Sequence, residues 1–231
     1  DIPVVKTPLR SDFSIDADAL VAGESSGIIF ANPNAPTGMF MDIETVRSIM
    51  VRYPSDRAVV VDEAYIDFGG ETVVPLIREF PNLVVVRTFS KSYCFAGARL
   101  GFVVANPDVV RALLTVKNSF NHFPVDALTQ AIGIAACSDA GYYRSINDRI
   151  MRTRDLFAAG LSGAGWEVLP SMTNFVFARK AGKTGREVYE AIRKEGILVR
   201  HFDIPGISDF VRISIGTEGD MEQLLAVMKR L

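Results

Sequence analysis

The sequence lacks the features that mark several large classes of protein. It has only two cysteines, Cys94 and Cys137, far apart among 231 residues. They cannot build a disulfide framework, so we expect a reducing, cytoplasmic compartment. The 25 Lys and Arg residues nearly balance 27 Asp and Glu, which argues against nucleic acid or an anionic membrane surface as a partner. The longest apolar runs, such as residues 131–137, fall well short of the roughly 18 residues that a membrane span needs.

Motifs for several kinds of site are also missing. The two histidines, His122 and His201, show no metal-ligand spacing with the cysteines, so we predict no metal site and interpret both as structural. The sequence contains no G-x-G-x-x-G segment and no Walker loop. These absences argue against the nucleotide-binding loops that the two motifs form.

What is present indicates a folded α/β chain. The sequence is 48% hydrophobic and 23% charged, which excludes intrinsic disorder. Four runs are apolar on both faces, as strands covered on two sides must be. They span residues 27–31, 58–61, 83–87 and 101–105. An amphipathic helix is predicted over residues 42–53, with Asp42 as its N-cap. This alternation predicts a mainly parallel, doubly wound sheet.

The second half of the sequence has a different pattern. Helices are predicted from Pro107 to about residue 116, from Pro124 to about residue 137, and over residues 142–161. Short strands are then predicted at residues 167–169, 174–177, 197–200 and 210–214, with helices over residues 186–195 and after Thr217. Thr217 and Asp220 are spaced as a capping box. We expect a smaller α+β domain here, with the boundary between residues 120 and 142, giving domains 1–130 and 131–231.

A lysine follows the third predicted strand. Lys91 lies just past the apolar run in residues 84–91 (VVVRTFSK), where open α/β sheets bind ligands. An amine partly removed from water at such a position suits Schiff-base chemistry. Thr88 and Ser90 offer hydroxyls beside it, and Arg99 offers a fixed fork for a phosphate. The alternative, a solvated loop lysine with a surface arginine, stays open on this segment alone.

A carboxylate ends the second predicted strand. Asp62 directly follows three valines, and a buried carboxylate there needs a cation or hydrogen bonds. A protonated ring nitrogen of a cofactor would meet that need, whereas the alternative is a helix N-cap. Tyr65, three residues on, is either a donor to a phenolate oxygen or a core aromatic.

Two arginines near the C-terminal end also call for an explanation. Arg200 ends one predicted strand, and Arg212 lies between Val211 and Ile213 in another. A carboxylate or phosphate bound bidentately would explain both positions. For Arg212, a solvent-facing position on an edge strand is the alternative. A further segment, residues 32–38 (NPNAPTG), has the composition of a structural turn.

Taken in order, these segments resemble the fold-type I pyridoxal-phosphate (PLP) aminotransferases and, within them, the histidinol-phosphate aminotransferases. The matching segments are residues 32–38 (NPNAPTG), 62–68 (DEAYIDF), 88–99 (TFSKSYCFAGAR), 173–179 (TNFVFAR), 197–202 (ILVRHF) and 211–217 (VRISIGT). The likeness extends over essentially all 231 residues. It implies the α/β PLP-dependent transferase fold, with a mainly parallel large-domain sheet and a smaller α+β C-terminal domain.

The resemblance implies a role for each candidate residue. Lys91 would be the Schiff-base lysine and proton shuttle, Asp62 the partner of the pyridinium nitrogen, and Tyr65 a donor to the phenolate oxygen. Ser90 and Arg99 would hold the cofactor phosphate, with Thr88 a weaker candidate for the same task.

The implied reaction is transamination between an amino donor and a 2-oxo acid, here histidinol phosphate and 2-oxoglutarate in histidine biosynthesis. Arg200 and Arg212 would grip the anionic ends of the substrate. The resemblance also implies a homodimer. The alternatives are an aromatic-amino-acid aminotransferase or a threonine-phosphate decarboxylase of the same fold, and, from another class, a non-catalytic fragment or binding module.

The sequence departs from the family pattern at two places. Many members carry Asn directly before Pro-Thr-Gly to hold the phenolate oxygen; here that residue is Ala35, and Asn34 is the adjacent candidate. The family's early segments, among them a phosphate-binding turn and a ring-stacking aromatic, have no counterpart before Asp1. Since about the first third of the family's length is not represented, we expect this sequence to be the C-terminal part of a longer protein.

Overall fold

The computed structural model describes residues 2–121 and 123–231, so His122 lies outside the described residues. The chain forms two compact units. The first comprises the described residues up to Pro33 together with Phe40–Ile66 and Gly70–Ala140, and the second comprises Asn34–Met39, Asp67–Gly69 and Gly141–Leu231. The predicted division at residue 130 stays a prediction.

The first unit is built on a four-stranded sheet. Its strands are β1 (Gly27–Ala31), β2 (Ala58–Asp62), β3 (Leu83–Thr88) and β4 (Gly101–Ala105), in the spatial order β1-β2-β3-β4. The first three strands are parallel, and β4 pairs with β3 in the antiparallel sense. The sequence placed all four strands to within one residue, and the sheet is mainly parallel as predicted.

The core of the first unit lies on one face of this sheet. Helices α1 (Ala17–Val21) and α2 (Ile43–Arg52) contribute to it. Inward-facing side chains of the strands and α2 form this core, among them Ile28, Phe30, Val46, Ile49, Val59, Val61 and Val85. The expectation that the strands are buried on both faces is wrong for β1, where Ile29 is 74% exposed, and for β4, where Phe102 is 41% and Val103 is 40% exposed. Alternate residues point to opposite faces, and the described helices of this core cover only one of them.

Two further helices complete the first unit. Helix α3 (Pro107–Phe120) begins after Asn106, whose side chain accepts from the Asp108 N–H, and it runs one turn beyond the predicted end at residue 116. Helix α4 (Ala127–Ser138) starts three residues later than predicted from Pro124. Asp126 is its N-cap and accepts from the Thr129 N–H. The capping side chain, rather than the proline, therefore sets where α4 begins.

The second unit is an α+β structure, as the pattern predicts. Its sheet has strands β5 (Trp166–Val168), β6 (Phe175–Lys180), β7 (Arg200–His201) and β8 (Val211–Ser214), in the order β5-β6-β8-β7, and all pairs are antiparallel. Helices α5 (Ala140–Gly163), α6 (Gly185–Lys194) and α7 (Glu218–Met228) accompany it. The strand predicted over residues 197–200 instead occupies Arg200–His201.

Helix boundaries in both units follow capping chemistry. The capping box of Thr217 and Asp220 is present at the start of α7, and Thr184 with Glu187 forms a second one at α6. None of the helices in the described part of the chain has the length and apolar character to cross a membrane.

The cap of α2 supplies a test of this local structure. Asp42 accepts from the Thr45 N–H at 2.8 Å and from the Thr45 hydroxyl at 2.8 Å, and these hydrogen bonds lower the pKa of the Asp42 carboxyl. Replacing Asp42 by Ala should lower the free energy of unfolding of the intact protein by about 1 kcal/mol, whereas Asn should retain most of the cap. Denaturant unfolding at neutral pH measures both changes.

The pH dependence of the same cap has a defined sign. Because the folded-state pKa lies below the unfolded value, the contribution of the Asp42 charge is full above about pH 4 and is lost as the pH falls through the folded-state pKa. The stability difference between the native protein and Asp42→Asn should therefore shrink as the pH falls below about 4. A difference that grows on acidification would contradict this account of the cap.

Candidate active site

The carboxyl ends of the parallel strands place several candidate residues at one edge of the first sheet. Asp62 ends β2 and is in register with Ala31 of β1 and Val86 of β3. The Ala64 N–H donates to Asp62 Oδ1 at 2.9 Å, which fixes the half-buried carboxylate in a local turn. Among the described residues, Asp62 forms no ion pair with a basic side chain. This is the position where an open α/β sheet binds a ligand.

Lys91 and Tyr65 come together at this edge. The Lys91 Nζ lies over the Tyr65 ring, 5.2 Å from its centroid. Both side chains are half-buried. The ring face stabilises the ammonium electrostatically, so Tyr65 holds the amine in place. The structure thus unites a lysine and a phenol that lie 26 positions apart in the sequence.

The loop that carries Lys91 is closed by backbone hydrogen bonds. The Phe89 N–H donates to the Leu100 carbonyl at 3.0 Å, and the Cys94 N–H donates to the Lys91 carbonyl at 3.0 Å. The Phe95 N–H donates to the Phe89 carbonyl at 2.9 Å. These bonds make the loop compact, which restricts the position of the Lys91 backbone.

The three candidates for phosphate binding lie in or beside this loop. The Thr88 hydroxyl accepts from the Ser90 N–H at 3.0 Å and is 3.3 Å from the Leu100 carbonyl, to which it donates. Arg99 adopts a left-handed conformation (φ +53°) and is exposed, with Nη1 donating to the Ala96 carbonyl at 2.8 Å. Because Thr88 pairs with Gly101 across β3 and β4, Arg99 lies at the same edge as Thr88.

The sequence interpretation gave no role to a buried ion pair at this edge. The Glu63 side chain is fully buried, and its Oε2 accepts from Arg87 Nε at 3.0 Å and Nη2 at 2.8 Å. The Thr72 hydroxyl donates to the same oxygen at 2.8 Å, and the Val73 N–H donates to Oε1 at 2.7 Å. A sequence signal existed, because Arg87 stands at the end of a β-branched run and needs a partner there.

The arginines at the other end of the sequence lie in the second unit. Arg200 of β7 and Arg212 of β8 are directly opposite each other in the strand register. Their guanidinium carbons lie 5.3 Å and 5.6 Å from the centroid of the Phe202 ring, respectively. The structure therefore brings together the two predicted substrate arginines.

Asn34 also belongs to the second unit, where it forms part of a turn. Its Nδ2 donates to the Thr37 hydroxyl at 2.9 Å, and its backbone carbonyl accepts from the Gly38 N–H at 2.8 Å. Ala35, next to it, is exposed. One of the two N–H donors of the Asn34 amide is thus engaged within the turn, and the role of Asn34 toward a cofactor stays a prediction.

His201 and the two cysteines lie in other surroundings. His201 lies with Nε2 2.9 Å from the Ser208 carbonyl, a contact within the second unit. Within residues 2–121 and 123–231, no group of three or more His, Cys, Asp or Glu side chains could hold a metal ion. Both cysteines are free and exposed.

Comparison with known proteins identifies the family. The model of the Aminotransferase class I and II family matches residues 1–229. The chain belongs to this family. A histidinol-phosphate aminotransferase from Syntrophus aciditrophicus is 50% identical over 234 aligned residues, which cover 100% of this chain and 65% of the relative. The chain thus spans less than two thirds of the length of this relative.

Solved structures of family members share the fold. The histidinol-phosphate aminotransferase from Sinorhizobium meliloti, solved in complex with pyridoxal-5'-phosphate, aligns with a TM-score of 0.86 at 28% identity. The alignment covers 98% of this chain and 63% of that one. The enzyme of the same name from Clostridium acetobutylicum aligns with a TM-score of 0.88 at 24% identity, covering 96% and 69% of the two chains. These alignments confirm the predicted fold class.

The buried ion pair generates a prediction about stability. Glu63→Gln would remove the carboxylate charge that faces the guanidinium of Arg87, whose side chain is only 22% exposed. We expect the free energy of unfolding of the intact protein to fall by about 3 kcal/mol, measured by denaturant titration. Glu71→Gln is the matched control, because Glu71 is exposed and its change should stay within about 0.5 kcal/mol.

A double variant separates lost pairing from lost packing. Arg87→Met combined with Glu63→Gln removes both charges, so the double variant should be more stable than the sum of the single changes implies. Equal effects of Glu63→Gln and Glu71→Gln would show that the pair does not stabilise the fold.

Proposed function

We propose that this chain carries the active-site residues of a PLP-dependent aminotransferase that acts on histidinol phosphate with 2-oxoglutarate as the acceptor. The observation that carries the proposal is the Lys91 Nζ held 5.2 Å from the Tyr65 ring centroid, at the edge where Asp62 ends β2. The 50% identity to a histidinol-phosphate aminotransferase supports the choice of donor.

The residues at this edge fit PLP by their chemistry. PLP presents an aldehyde, a phenolate oxygen, a ring nitrogen and a phosphate. An amine (Lys91), a phenol (Tyr65) and a carboxylate held at a strand end (Asp62) match the first three groups. Ser90 and Arg99, with Thr88 as a weaker candidate, match the phosphate. PLP, when bound, supplies an electron sink for the bond that breaks at the amino carbon of the donor.

Each residue then has a definite task. Lys91 would bind the cofactor through Nζ and move a proton at that atom to and from the substrate carbon. The Asp62 carboxylate would keep a proton on the ring nitrogen, and the Tyr65 hydroxyl would donate to the phenolate oxygen.

Two arginines would hold the substrate. Arg212 and Arg200 would bind its anionic ends, which orients the reacting carbon. We further propose that the protein is a cytoplasmic homodimer, as the family resemblance implies.

The lysine assignment predicts a spectroscopic result. The intact native protein mixed with PLP should show a visible absorption band of lysine-bound cofactor, and Lys91→Ala should abolish both the band and turnover. Lys6→Ala is the control, because Lys6 is exposed and its loss should leave the band unchanged. A native protein that stays colourless would favour the non-catalytic binding module instead.

The substrate assignment predicts the outcome of a panel of amino donors. With 2-oxoglutarate as acceptor, histidinol phosphate should give the highest kcat/KM, because a phosphate monoester engages the arginine forks more strongly than an apolar side chain. Glutamate formation measures transamination, and release of carbon dioxide from threonine phosphate measures the decarboxylase alternative. Strong turnover of leucine or phenylalanine with none of histidinol phosphate would overturn the assignment.

A further inference from the structure

The two faces of the second sheet have different chemistry. One face contributes Val176 and Ala178 of β6, with Val211 and Ile213 of β8, to the core of this unit. Because side chains alternate between faces, the intervening residues Phe177 and Arg212 point to the opposite face. The strand register places Phe177 opposite Arg212, and Arg212 opposite Arg200. This second face therefore carries a row of aromatic and guanidinium groups.

The two arginines in this row repel each other. Like charges directly opposite in an antiparallel pair destabilise a sheet. Among the described side chains, no carboxylate lies within ion-pair distance of Arg200 or Arg212, although the unit contains other arginine–carboxylate pairs, such as Arg179 with Glu167. An arrangement of this kind is suited to an anion that neutralises both charges.

Aromatic rings hold the two guanidinium groups. Phe202, two residues beyond Arg200, lies 5.3 Å from the guanidinium carbon of Arg200 and 5.6 Å from that of Arg212. Arg212 also lies 5.0 Å from the centroid of the Phe175 ring. Phe202 is thus the ring that contacts both arginines, and it packs edge-on against Phe177 at 6.4 Å. The ring of Phe177 is buried, so Phe202 rests on a fixed support.

We propose that Phe202 is a positioning residue that presets Arg200 and Arg212 to bind one doubly charged anion, and so favours a phosphate monoester over a carboxylate. A phosphate dianion has enough oxygens and charge to engage two guanidinium forks at once, whereas a carboxylate is satisfied by one. Both side chains have many rotamers, and a ring that contacts both reduces the entropy lost on binding. This inference rests on the proposed function, because it assigns these arginines to substrate binding.

The test compares Phe202→Leu with Phe202→Tyr in the intact, PLP-loaded protein. Leu retains apolar volume but removes the ring, whereas Tyr retains the ring and its attraction for a cation. Phe202→Leu should raise the KM for histidinol phosphate about tenfold with kcat nearly unchanged. Phe202→Tyr should keep a KM close to that of the native protein. With histidinol, which lacks the phosphate, the KM should change less than twofold. Unfolding temperatures of both variants check that each remains folded.

A second measurement does not depend on turnover. Inorganic phosphate should protect Arg200 and Arg212 from modification by phenylglyoxal, quantified by mass spectrometry of the peptides that contain them. Phe202→Leu should require about tenfold more phosphate for half-protection, while Phe202→Tyr should match the native protein.

The two measurements separate the possible failures. If the native protein does not turn over histidinol phosphate, the proposed function fails, yet phosphate protection still tests Phe202. Equal half-protection in Phe202→Leu and the native protein would overturn the positioning role. An equal rise in KM for histidinol and histidinol phosphate would overturn the preference for a phosphate monoester.

Discussion

The buried carboxylate of Glu63 is the constraint on which the candidate active site depends. Four donor groups from three separate positions in the sequence converge on its two oxygens, and the Glu63 N–H donates to the Val86 carbonyl. A buried charge of this kind is tolerated only when all its partners are in place. The residues that follow β2 are therefore held against the end of β3, and the register between those two strands cannot slip without exposing or orphaning a charge.

This constraint limits the distance between the candidate site residues. Asp62 directly precedes Glu63, and Lys91 follows Arg87 by four residues. The ion pair that fixes the sheet edge therefore also limits how far the carboxylate and the amine can move apart. Tyr65 lies two residues beyond Glu63, and the Lys91 ammonium lies over its ring. Packing, charge pairing and the placement of the candidate amine thus depend on two short stretches of backbone, residues 62–65 and 87–91.

Much of the fold could be predicted from the sequence, because local patterns determine it. Strands β1 to β4 follow β-branched runs, and α2 follows an amphipathic period with a capping aspartate. Prediction failed where one local signal competed with another. Pro124 suggested a helix start, but the Asp126 side chain supplies the cap. The burial of β1 was overestimated because an apolar run does not reveal which of its faces a neighbouring layer covers.

Some features of the candidate site could likewise be predicted from the sequence, and others could not. Lys91, Asp62 and Tyr65 could be identified because each stands at or just past the end of a predicted strand. The pairing of Glu63 with Arg87 could not be predicted, since 24 positions separate the two residues and only the parallel pairing of β2 with β3 joins them. The stacking of Phe202 with two arginines likewise depends on the β7–β8 register, which no pattern in residues 197–202 encodes.

Hydrogen bonding within the loops further ranks the proposed cofactor ligands. The Thr88 hydroxyl donates its one proton to the Leu100 carbonyl and accepts from the Ser90 N–H, so donating to a phosphate would break its bond to Leu100. One of the two N–H donors of the Asn34 amide is engaged with Thr37. Arg99 donates to Ala96 through Nη1, and a guanidinium has four further N–H donors. Of Thr88 and Arg99, the less costly ligand for a phosphate at this edge is therefore Arg99, because it can bind an anion without giving up the bond that orients it.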